Sequence, residues 1–282
     1  MNIGIIGYGY VGRATGEGFS TNPDNKIFWY DKFKESPNTL DEVVKKSDFI
    51  FISVPTPIFE DYSGMDMNIV EGVIDQVAPK IGSTHKILII KSTSLPGTTR
   101  KMAKKYGNVN FVTNPEFLTQ KNANKDFLKP FRTVIGCDSR DVGERVKKLY
   151  ATILPKDQKY FITDPTSAEV IKYMSNLMLA SKSLLANEFY DLSQKVGANY
   201  IDVQAAVESD PRIGTHLGVP GSDGDRGFGG ACFPKDMVGI LGLAGKLKLD
   251  MSALTAVWKK NLKIRKHRDW EEMPQAFNKK KK

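Results

Sequence analysis

The chain has 282 residues, of which 40% are hydrophobic and 26% are charged, as in ordinary globular proteins of one large or two modest domains. Its apolar runs are too short for a membrane span, and two cysteines exclude a disulfide framework, so we expect a cytoplasmic protein. The formal net charge of +9 includes the terminal lysine run 279–282, and the other lysines are scattered, which favours an anionic small molecule over nucleic acid as the partner.

The first half of the chain alternates short apolar segments with amphipathic ones. Strands are predicted at 2–6, 26–30, 48–54, 86–91, 109–113 and 133–136, and helices at 11–19, 68–78 and from Pro96-Gly97 onward. Because almost every residue of these strands is apolar, we predict a parallel sheet covered by helices on both faces. The fold class is therefore α/β, with a Rossmann-type doubly wound sheet.

The pattern changes after Asp164. Thr166 and Glu169 have the spacing of a capping box, which marks the start of a helix. Neither proline nor glycine interrupts the chain from there to Val196, and Gly197 suits a helix C-terminus. We therefore predict one helix of about thirty residues, which is long for a globular protein.

The residues after this helix are also predicted to be helical, apart from a loop rich in Gly, Pro and Asp at 212–230. The change of pattern predicts two domains. The first is an α/β domain at residues 1–165, and the second is an all-α domain at residues 166–282 with the long helix at its centre.

A candidate cofactor site lies at the first predicted turn. Gly7, Gly9 and Gly12 have the spacing Gly-x-Gly-x-x-Gly between a strand and a helix, which lets the backbone approach a pyrophosphate at the helix N-terminus. Asp31 ends the next strand, where a carboxylate accepts hydrogen bonds from ribose hydroxyls and repels a 2′-phosphate. This context predicts NAD, and the neighbouring Lys32 leaves NADP open as an alternative. The alternative is a glycine turn that only packs a helix on a sheet.

Cys232 lies in the run Gly-Gly-Ala-Cys-Phe-Pro-Lys-Asp at 229–236. A thiolate can capture an aldehyde and then carry the acyl group as a thioester, so a thiol beside a hydride acceptor suits oxidation of an alcohol to a carboxylate. The alternative is an inert buried thiol. For Cys137, at the end of a predicted strand, packing is the prediction.

Seven segments occur in an order that resembles the UDP-glucose/GDP-mannose dehydrogenase family, from residue 1 to about residue 265. They are Gly-Tyr-Gly-Tyr-Val-Gly at 7–12, Ser-Val-Pro-Thr-Pro at 53–57, Ser-Thr-Ser-Leu-Pro-Gly-Thr at 92–98, Asn-Pro-Glu-Phe-Leu at 114–118, Ala-Glu-Val-Ile-Lys-Tyr-Met-Ser-Asn at 168–176, Arg-Ile-Gly at 212–214 and Gly-Phe-Gly-Gly-Ala-Cys-Phe-Pro-Lys-Asp at 227–236. The resemblance implies NAD-dependent oxidation of a nucleotide sugar to its uronate. The sequence does not choose among UDP-glucose, GDP-mannose and UDP-N-acetyl sugars, and UDP-glucose is expected only because it is the commonest substrate of the family.

The resemblance also implies roles for individual residues. The catalytic set is Cys232 as nucleophile, Lys172 and Asn176 as donors to the substrate oxygen, Glu116 as the base for water, Thr93 as anchor for that water and Asp236 as a proton acceptor. The cofactor set is Gly7, Gly9, Tyr10, Val11, Gly12, Asp31, Val54, Pro55, Thr56, Ser92, Thr93, Gln120 and Lys235. The substrate set is Glu116, Phe117, Leu118, Lys172, Asn176, Arg212, Phe228 and Gly229. No metal is expected.

Arg212 resembles the family arginine that reaches the substrate of a neighbouring subunit, which implies a homodimer built on the long helix. Three departures from the family pattern stand out. Gln120 replaces a usual glutamate, the loop at 220–226 is longer and is expected to reshape the sugar pocket, and the C-terminal nucleotide-sugar domain is expected to be missing. Nucleotide-sugar affinity is therefore expected to be weak unless the partner subunit or a cap formed by residues 268–272 supplies contacts.

Two other functions stay open at this point. A two-electron dehydrogenase of the 3-hydroxyacid or 6-phosphogluconate type shares a Rossmann domain followed by a long-helix domain, but lacks the Cys-Phe-Pro-Lys-Asp run. A non-catalytic NAD-binding module is the other alternative, against which the intact cysteine, lysine and glutamate argue.

Overall fold

The computed structural model describes residues 1–278, so the lysine run 279–282 lies outside the described residues. The chain divides into two compact units. The first unit contains Met1–Thr56 and Met67–Lys172, and the second contains Pro57–Asp66 and the chain from Tyr173 onward. The boundary between the units after Lys172 falls inside a long helix. The ten residues Pro57–Asp66 come from the first half of the sequence but belong to the second unit.

The helices and strands begin and end close to the predicted positions. In chain order they are β1 (Asn2–Ile6), α1 (Tyr10–Ser20), β2 (Lys26–Tyr30), α2 (Leu40–Lys46), β3 (Phe49–Ile52), β4 (Ile58–Phe59), α3 (Asn68–Ile81), β5 (Ile87–Ile90), α4 (Thr98–Lys105), β6 (Asn110–Thr113), α5 (Ala123–Leu128), β7 (Thr133–Gly136), α6 (Arg140–Ala151), β8 (Tyr160–Thr163), α7 (Pro165–Val196), α8 (Tyr200–Glu208), α9 (Phe233–Leu247), α10 (Ser252–Ile264) and β9 (Phe277–Asn278). The strands β4, β8 and β9 and the helices α2, α5 and α6 were not predicted.

The first unit is built on a seven-stranded sheet in the order β2-β1-β3-β5-β6-β7-β8. The predicted α/β fold with a Rossmann-type parallel sheet is confirmed, with one strand pair that departs from the parallel pattern. β6 and β7 pair antiparallel through Thr113 and Gly136 alone, and β8 follows β7 in parallel. Direction could not be predicted there because β7 is as apolar as the parallel strands.

Helices cover both faces of this sheet, as the apolar strands predicted. Phe51 and Ile89 belong to the core on one face, and their neighbours Ile50 and Leu88 belong to the core on the other. Successive residues of a strand point to opposite faces, so a strand buried on both sides needs apolar residues throughout. Cys137 lies in the first of these cores and is 7% exposed, which confirms its assignment to packing.

The long helix α7 was predicted correctly, but its N-terminal cap was not. Asp164 accepts hydrogen bonds from the backbone N–H and the hydroxyl of Ser167, so Thr166 lies inside the helix. The carboxylate of Glu169 instead accepts hydrogen bonds from the backbone N–H groups of Gly97 and Thr99, at the start of α4. Within residues 1–278, no helix combines the length and apolar character that crossing a membrane requires.

The second unit contains the C-terminal part of α7 and helices α8 to α10, and its last residues pack closely. Trp270 is fully buried, lies 5.7 Å from Trp258 between ring centroids, and donates to the hydroxyl of Tyr62. β9 pairs in parallel with β4. Trp270 therefore packs into the second unit, whereas the expectation that residues 268–272 replace substrate contacts stays a prediction.

Candidate active site

The glycine turn of the first unit shows which of its glycines the chain itself requires. Gly7 has φ +87°, and a Cβ there would lie 2.6 Å from the carbonyl oxygen of Ser53. A Cβ on Gly12 would lie 2.0 Å from the carbonyl oxygen of Gly7. Gly9 has an ordinary extended backbone, and a Cβ there would meet no atom within 4 Å. Neither strain nor packing explains glycine at this position, and an open cradle at the N-terminus of α1 fits a pyrophosphate.

Asp31 is fixed beside this turn by its own loop. Its carboxylate accepts hydrogen bonds from the backbone N–H of Tyr8 at 2.7 Å and from that of Phe33 at 2.9 Å. Lys32 places its ammonium group over the ring of Phe33, 5.8 Å from the centroid. The carboxylate of Asp31, and not the ammonium group of Lys32, is therefore held against the glycine turn, where Lys34 also donates to the carbonyl oxygen of Tyr8 at 2.6 Å.

Predicted cofactor residues after β3 and β5 are also brought together. The hydroxyl of Ser92 accepts a hydrogen bond from the backbone N–H of Val54 and donates to the carbonyl oxygen of Val54, both at 2.8 Å. Thr93 is half-buried, Pro55 is exposed and Thr56 is buried. These loops lie at the carboxyl ends of parallel strands, where doubly wound sheets bind ligands. Tyr10 and Val11 lie in the first turn of α1.

Glu116 and Lys172 form a buried ion pair in the first unit. The Nζ of Lys172 lies 2.9 Å from Oε1 of Glu116 and also donates to the carbonyl oxygen of Glu116 at 2.6 Å. The backbone N–H of Leu118 donates to Oε2. Burial by itself raises the pKa of Glu116, but the charge and hydrogen bond of Lys172, the Leu118 N–H and the charge of Lys91 outweigh it, so the pKa is lowered.

Lys91, at the end of β5, is a charged group that the sequence analysis missed. Its Nζ donates to Oδ1 of Asn114 at 3.0 Å and to the hydroxyl of Tyr150 at 3.2 Å, and the residue is 4% exposed. Burial lowers the pKa of Lys91 to about 8, although the charge of Glu116 raises it. The available signal was a lysine directly after four apolar strand residues. Lys91 and Glu116 line one pocket together with Phe117, half-buried beneath the guanidinium of Arg132.

A second group of predicted residues gathers around Asp236 in the second unit. Asp236 is fully buried and accepts a hydrogen bond from Nδ2 of Asn176 at 2.6 Å and one from Nζ of Lys235 at 2.7 Å. Cys232 is half-buried and is the residue that precedes the first turn of α9. The ammonium group of Lys235, predicted to contact the cofactor, is thus held by its neighbour Asp236.

The remaining predicted residues lie on loops. Gln120 is exposed and begins a short 3₁₀ turn. The guanidinium of Arg212 is 87% exposed and pairs with Asp210 of the same loop at 2.6 Å. Phe228 is 4% exposed and stacks on Trp258. Within the described residues, no cluster of three or more His, Cys, Asp or Glu side chains is arranged to hold a metal ion.

Comparison with known proteins gives the family. The model of the NAD binding domain of the UDP-glucose/GDP-mannose dehydrogenase family matches residues 32–154, and the model of its central domain matches residues 166–263. The UDP-glucose 6-dehydrogenase of Rickettsia prowazekii (strain Madrid E) is 34% identical over an alignment of 296 positions. This alignment covers 93% of this chain and 67% of that protein.

Solved structures agree on the fold. A UDP-glucose dehydrogenase from the archaeon Pyrobaculum islandicum superimposes with a TM-score of 0.81 at 30% identity, covering 93% of this chain and 68% of that one. The 3-hydroxyisobutyrate dehydrogenase of Mycobacterium tuberculosis gives a TM-score of 0.73 at 14% identity, covering 93% of this chain and 92% of that one. The second likeness is one of fold alone.

The Rossmann-type sheet, the open glycine cradle and these matches together define an NAD-dependent oxidoreductase. More narrowly, the chain belongs to the UDP-glucose/GDP-mannose dehydrogenase family. It spans about two thirds of the length of the family relatives named above.

Proposed function

We propose that this protein oxidises the primary alcohol of a nucleotide sugar to a carboxylate in two steps, with Cys232 holding the intermediate between them. UDP-glucose is the substrate that we expect, because the relatives from Rickettsia prowazekii and Pyrobaculum islandicum are named for it. The observation that carries the proposal is the contrast between the two thiols. Cys137 is buried in a core, whereas Cys232 is half-buried at the N-terminus of α9, where the helix dipole favours negative charge.

The proposed chemistry assigns the covalent steps to Cys232. NAD, when bound, accepts the hydride that each oxidation releases. The thiolate of Cys232 adds to the aldehyde carbon, so a C–S bond forms and the carbonyl oxygen becomes an oxyanion. After the second hydride leaves, the intermediate is a thioester. Attack by water then breaks the C–S bond and returns the thiolate with release of the carboxylate.

Glu116 and Lys172 suit the hydrolytic step. Because its pKa is lowered, Glu116 is ionised at neutral pH and can take a proton from the attacking water. Lys172 donates to Glu116, and its ammonium group can also donate to an oxyanion. Asn176 lies four residues after Lys172, on the same face of α7, and supplies a neutral donor. Asp236, which accepts from Asn176, sets the orientation of that amide.

We further propose that the protein is a homodimer that associates through α7. An apolar stripe runs along the part of this helix in the second unit, where its side chains are more than half exposed. The stripe consists of Met174, Met178, Leu185, Phe189, Leu192 and Val196. This spacing of three, four and seven residues places them on one face, and such a stripe is typical of a helix-to-helix interface. Arg212 is exposed enough to reach a neighbouring subunit.

The experiment that tests the function measures NADH and carboxylate formed per sugar nucleotide consumed, with a panel of UDP- and GDP-sugars. We expect two NADH per carboxylate with the preferred substrate. Cys232→Ser should abolish carboxylate release, while Cys137→Ser, which changes the buried thiol, serves as the matched control and should retain the two-to-one ratio.

Each other outcome has a definite meaning. One NADH per substrate would identify a two-electron dehydrogenase, and NAD binding without turnover on any sugar nucleotide would identify a non-catalytic module. Carboxylate release by Cys232→Ser at a near-normal rate would rule out the covalent intermediate.

A further inference from the structure

Three polar side chains in and just after the last turn of α10 hold the loop that leads to Cys232. Asn261 lies in the last turn of this helix, Arg265 directly follows the helix, and Asp269 begins a short 3₁₀ turn four residues later. Asn261 is fully buried, Arg265 is 7% exposed and 22% of the Asp269 side chain is exposed. These three residues are called the α10 clamp below. None of them was singled out by the sequence analysis.

Asn261 binds both polar groups of one loop residue. Its Oδ1 accepts a hydrogen bond from the backbone N–H of Phe228 at 2.8 Å, and its Nδ2 donates to the carbonyl oxygen of Phe228 at 3.0 Å. The preceding Gly227 has φ +68°, and a Cβ there would lie 2.2 Å from Oδ1 of Asn261. The close approach of this amide therefore explains why residue 227 is a glycine.

Arg265 lies close against Gly229, and Asp269 bonds to Gly230. The Nη2 of Arg265 donates to Oδ1 of Asp269 at 3.1 Å and to Asp223 at 2.5 Å. The other carboxylate oxygen of Asp269 accepts a hydrogen bond from the backbone N–H of Gly230 at 2.9 Å. A Cβ on Gly229 would lie 2.1 Å from Nη2 of Arg265. The clamp thus contacts the backbone up to two residues before the thiol.

The loop has a physical need for such contacts. Glycine-rich backbone loses more conformational entropy on ordering than any other, and Gly227 and Gly230 both have positive φ. A nucleophile, in contrast, must be held to within a fraction of an ångström to react efficiently. Partly buried charges are costly to desolvate, so placing Arg265 and Asp269 around this loop is poorly explained by stability alone.

We propose that the α10 clamp is a positioning device for Cys232, and that Asp269 is its main positioning residue, because it bonds the loop residue nearest to Cys232 in sequence. The clamp orders residues 228–230, and this order fixes where the chain enters α9 and hence where the thiol stands. The proposal rests on the function of Cys232 as nucleophile stated above. It predicts that the clamp affects capture of the aldehyde more than the first oxidation.

The test uses the full chain and compares Asp269→Ala, which removes the acceptor for the Gly230 N–H, with Asp269→Asn, whose amide oxygen can still accept it. We expect Asp269→Ala to lower kcat for carboxylate formation by about ten- to a hundredfold. The KM for NAD should stay unchanged. Aldehyde should escape and accumulate in solution, so that NADH exceeds two per carboxylate. Asp269→Asn should restore most of the rate and the ratio of two.

The ratio separates positioning from general damage. A variant that is only partly folded loses both oxidations equally, so its remaining molecules still form two NADH per carboxylate, and that result would overturn the proposal. Glu272→Ala is the matched control, because Glu272 lies in the same turn with an exposed side chain that contacts His267 and no clamp residue. It should behave as wild type.

A second variant keeps the test valid if Asp269→Ala does not fold. Asp223→Ala removes a partly exposed partner of Arg265 and should shift the ratio in the same direction by a smaller amount. An unchanged ratio in that protein would refute the clamp. Cys232→Ser, measured in parallel, separates failure of the proposed function from failure of the clamp proposal. Normal carboxylate release by Cys232→Ser would refute the role of Cys232 as nucleophile. If Cys232→Ser releases no carboxylate but Asp269→Ala behaves as wild type, only the positioning role is refuted.

Discussion

The ammonium group of Lys172 and the carboxylate of Glu116 lie 2.9 Å apart where only 4% and 5% of the two side chains are exposed. The two groups are joined by a hydrogen bond, and Lys91 adds a second positive charge that acts on Glu116. A buried pair of this kind is stable only while both partners are present, because a single buried charge has no solvent to replace the lost one. The pair therefore links the proposed chemistry to stability.

Lys172→Met should destabilise the protein at neutral pH by about 3 kcal/mol, since it leaves Glu116 charged and buried. In the wild type the lowered pKa of Glu116 stabilises the fold above the ordinary carboxyl pKa, and this contribution is lost as the pH falls through the folded pKa. In the variant, burial raises the pKa of Glu116 instead. The difference in unfolding free energy between the two proteins should therefore shrink between pH 7 and pH 5, as measured by urea denaturation.

Two further proteins control this measurement. Lys104→Met removes an exposed lysine of α4 and should change the unfolding free energy little at either pH. Adding Glu116→Gln to Lys172→Met removes the unpaired charge and should recover part of the lost stability. If Lys172→Met lowers the unfolding free energy by the same amount at pH 7 and pH 5, the loss of stability is not electrostatic. The same conclusion follows if the double variant is no more stable than Lys172→Met.

Much of the fold could be predicted because its signals are local. The apolar runs of β1, β3 and β5 placed those strands within two residues at either end, and the uninterrupted segment before Gly197 gave the length of α7. The errors involve distant partners. Thr166 and Glu169 have the local spacing of a capping box, but Glu169 bonds to Gly97, 72 residues earlier in the chain. β7 carries no local mark of its direction.

The candidate site divides in the same way. The glycine turn and Asp31 follow from their spacing, and the resemblance supplied Glu116 and Lys172 one by one. Neither the spacing nor the resemblance could reveal that Glu116 and Lys172 are paired. They also could not show that Lys91 lines the same pocket as Glu116, with Asn114 as its hydrogen-bond partner. The contact between Asp269 and Gly230 joins residues 39 positions apart and has no counterpart in any motif. Side-chain contacts between separate segments depend on packing, which spacing alone does not encode.

Lys91 should make the unfolding free energy depend on pH in a way that Lys91→Met removes. Its folded pKa of about 8 is below the ordinary value of 10.5, so between these values the unfolded chain binds more protons and stability rises with pH. The whole change amounts to about 3 kcal/mol. The stability of Lys91→Met relative to wild type should therefore fall between pH 7.5 and pH 9.5 in denaturation experiments.

Lys104→Met again provides the comparison for Lys91, because the side chain of Lys104 is exposed and is not taken out of water on folding. If the unfolding free energies of Lys91→Met and wild type differ by the same amount at pH 7.5 and pH 9.5, then folding does not lower the pKa of Lys91.

Gly9→Ala and Gly12→Ala should separate cofactor binding from folding. The Cβ of Gly12→Ala meets a backbone oxygen at 2.0 Å, so the turn must shift, and we expect a loss of stability of about 2 kcal/mol or more. The Cβ of Gly9→Ala has no atom of the chain within 4 Å, so the unfolding free energy from thermal denaturation should stay within about 0.5 kcal/mol of the wild-type value. If the cradle holds the pyrophosphate, NAD titration followed by fluorescence should show at least a tenfold weaker affinity for Gly9→Ala. Unchanged affinity in that variant would place the pyrophosphate elsewhere.

Phe189→Glu should convert a dimer to a monomer. Phe189 is 59% exposed in the middle of the α7 stripe, and an isologous interface brings each stripe residue near its own symmetry mate or a neighbour of it. Two buried carboxylates without cationic partners would then cost several kcal/mol, which is on the order of a thousandfold in dimer affinity. Gln194→Glu introduces the same charge on an exposed position off the stripe and should leave the dimer intact. Sedimentation equilibrium across protein concentrations measures both, and a Phe189→Glu protein that dimerises as tightly as wild type would move the interface away from α7.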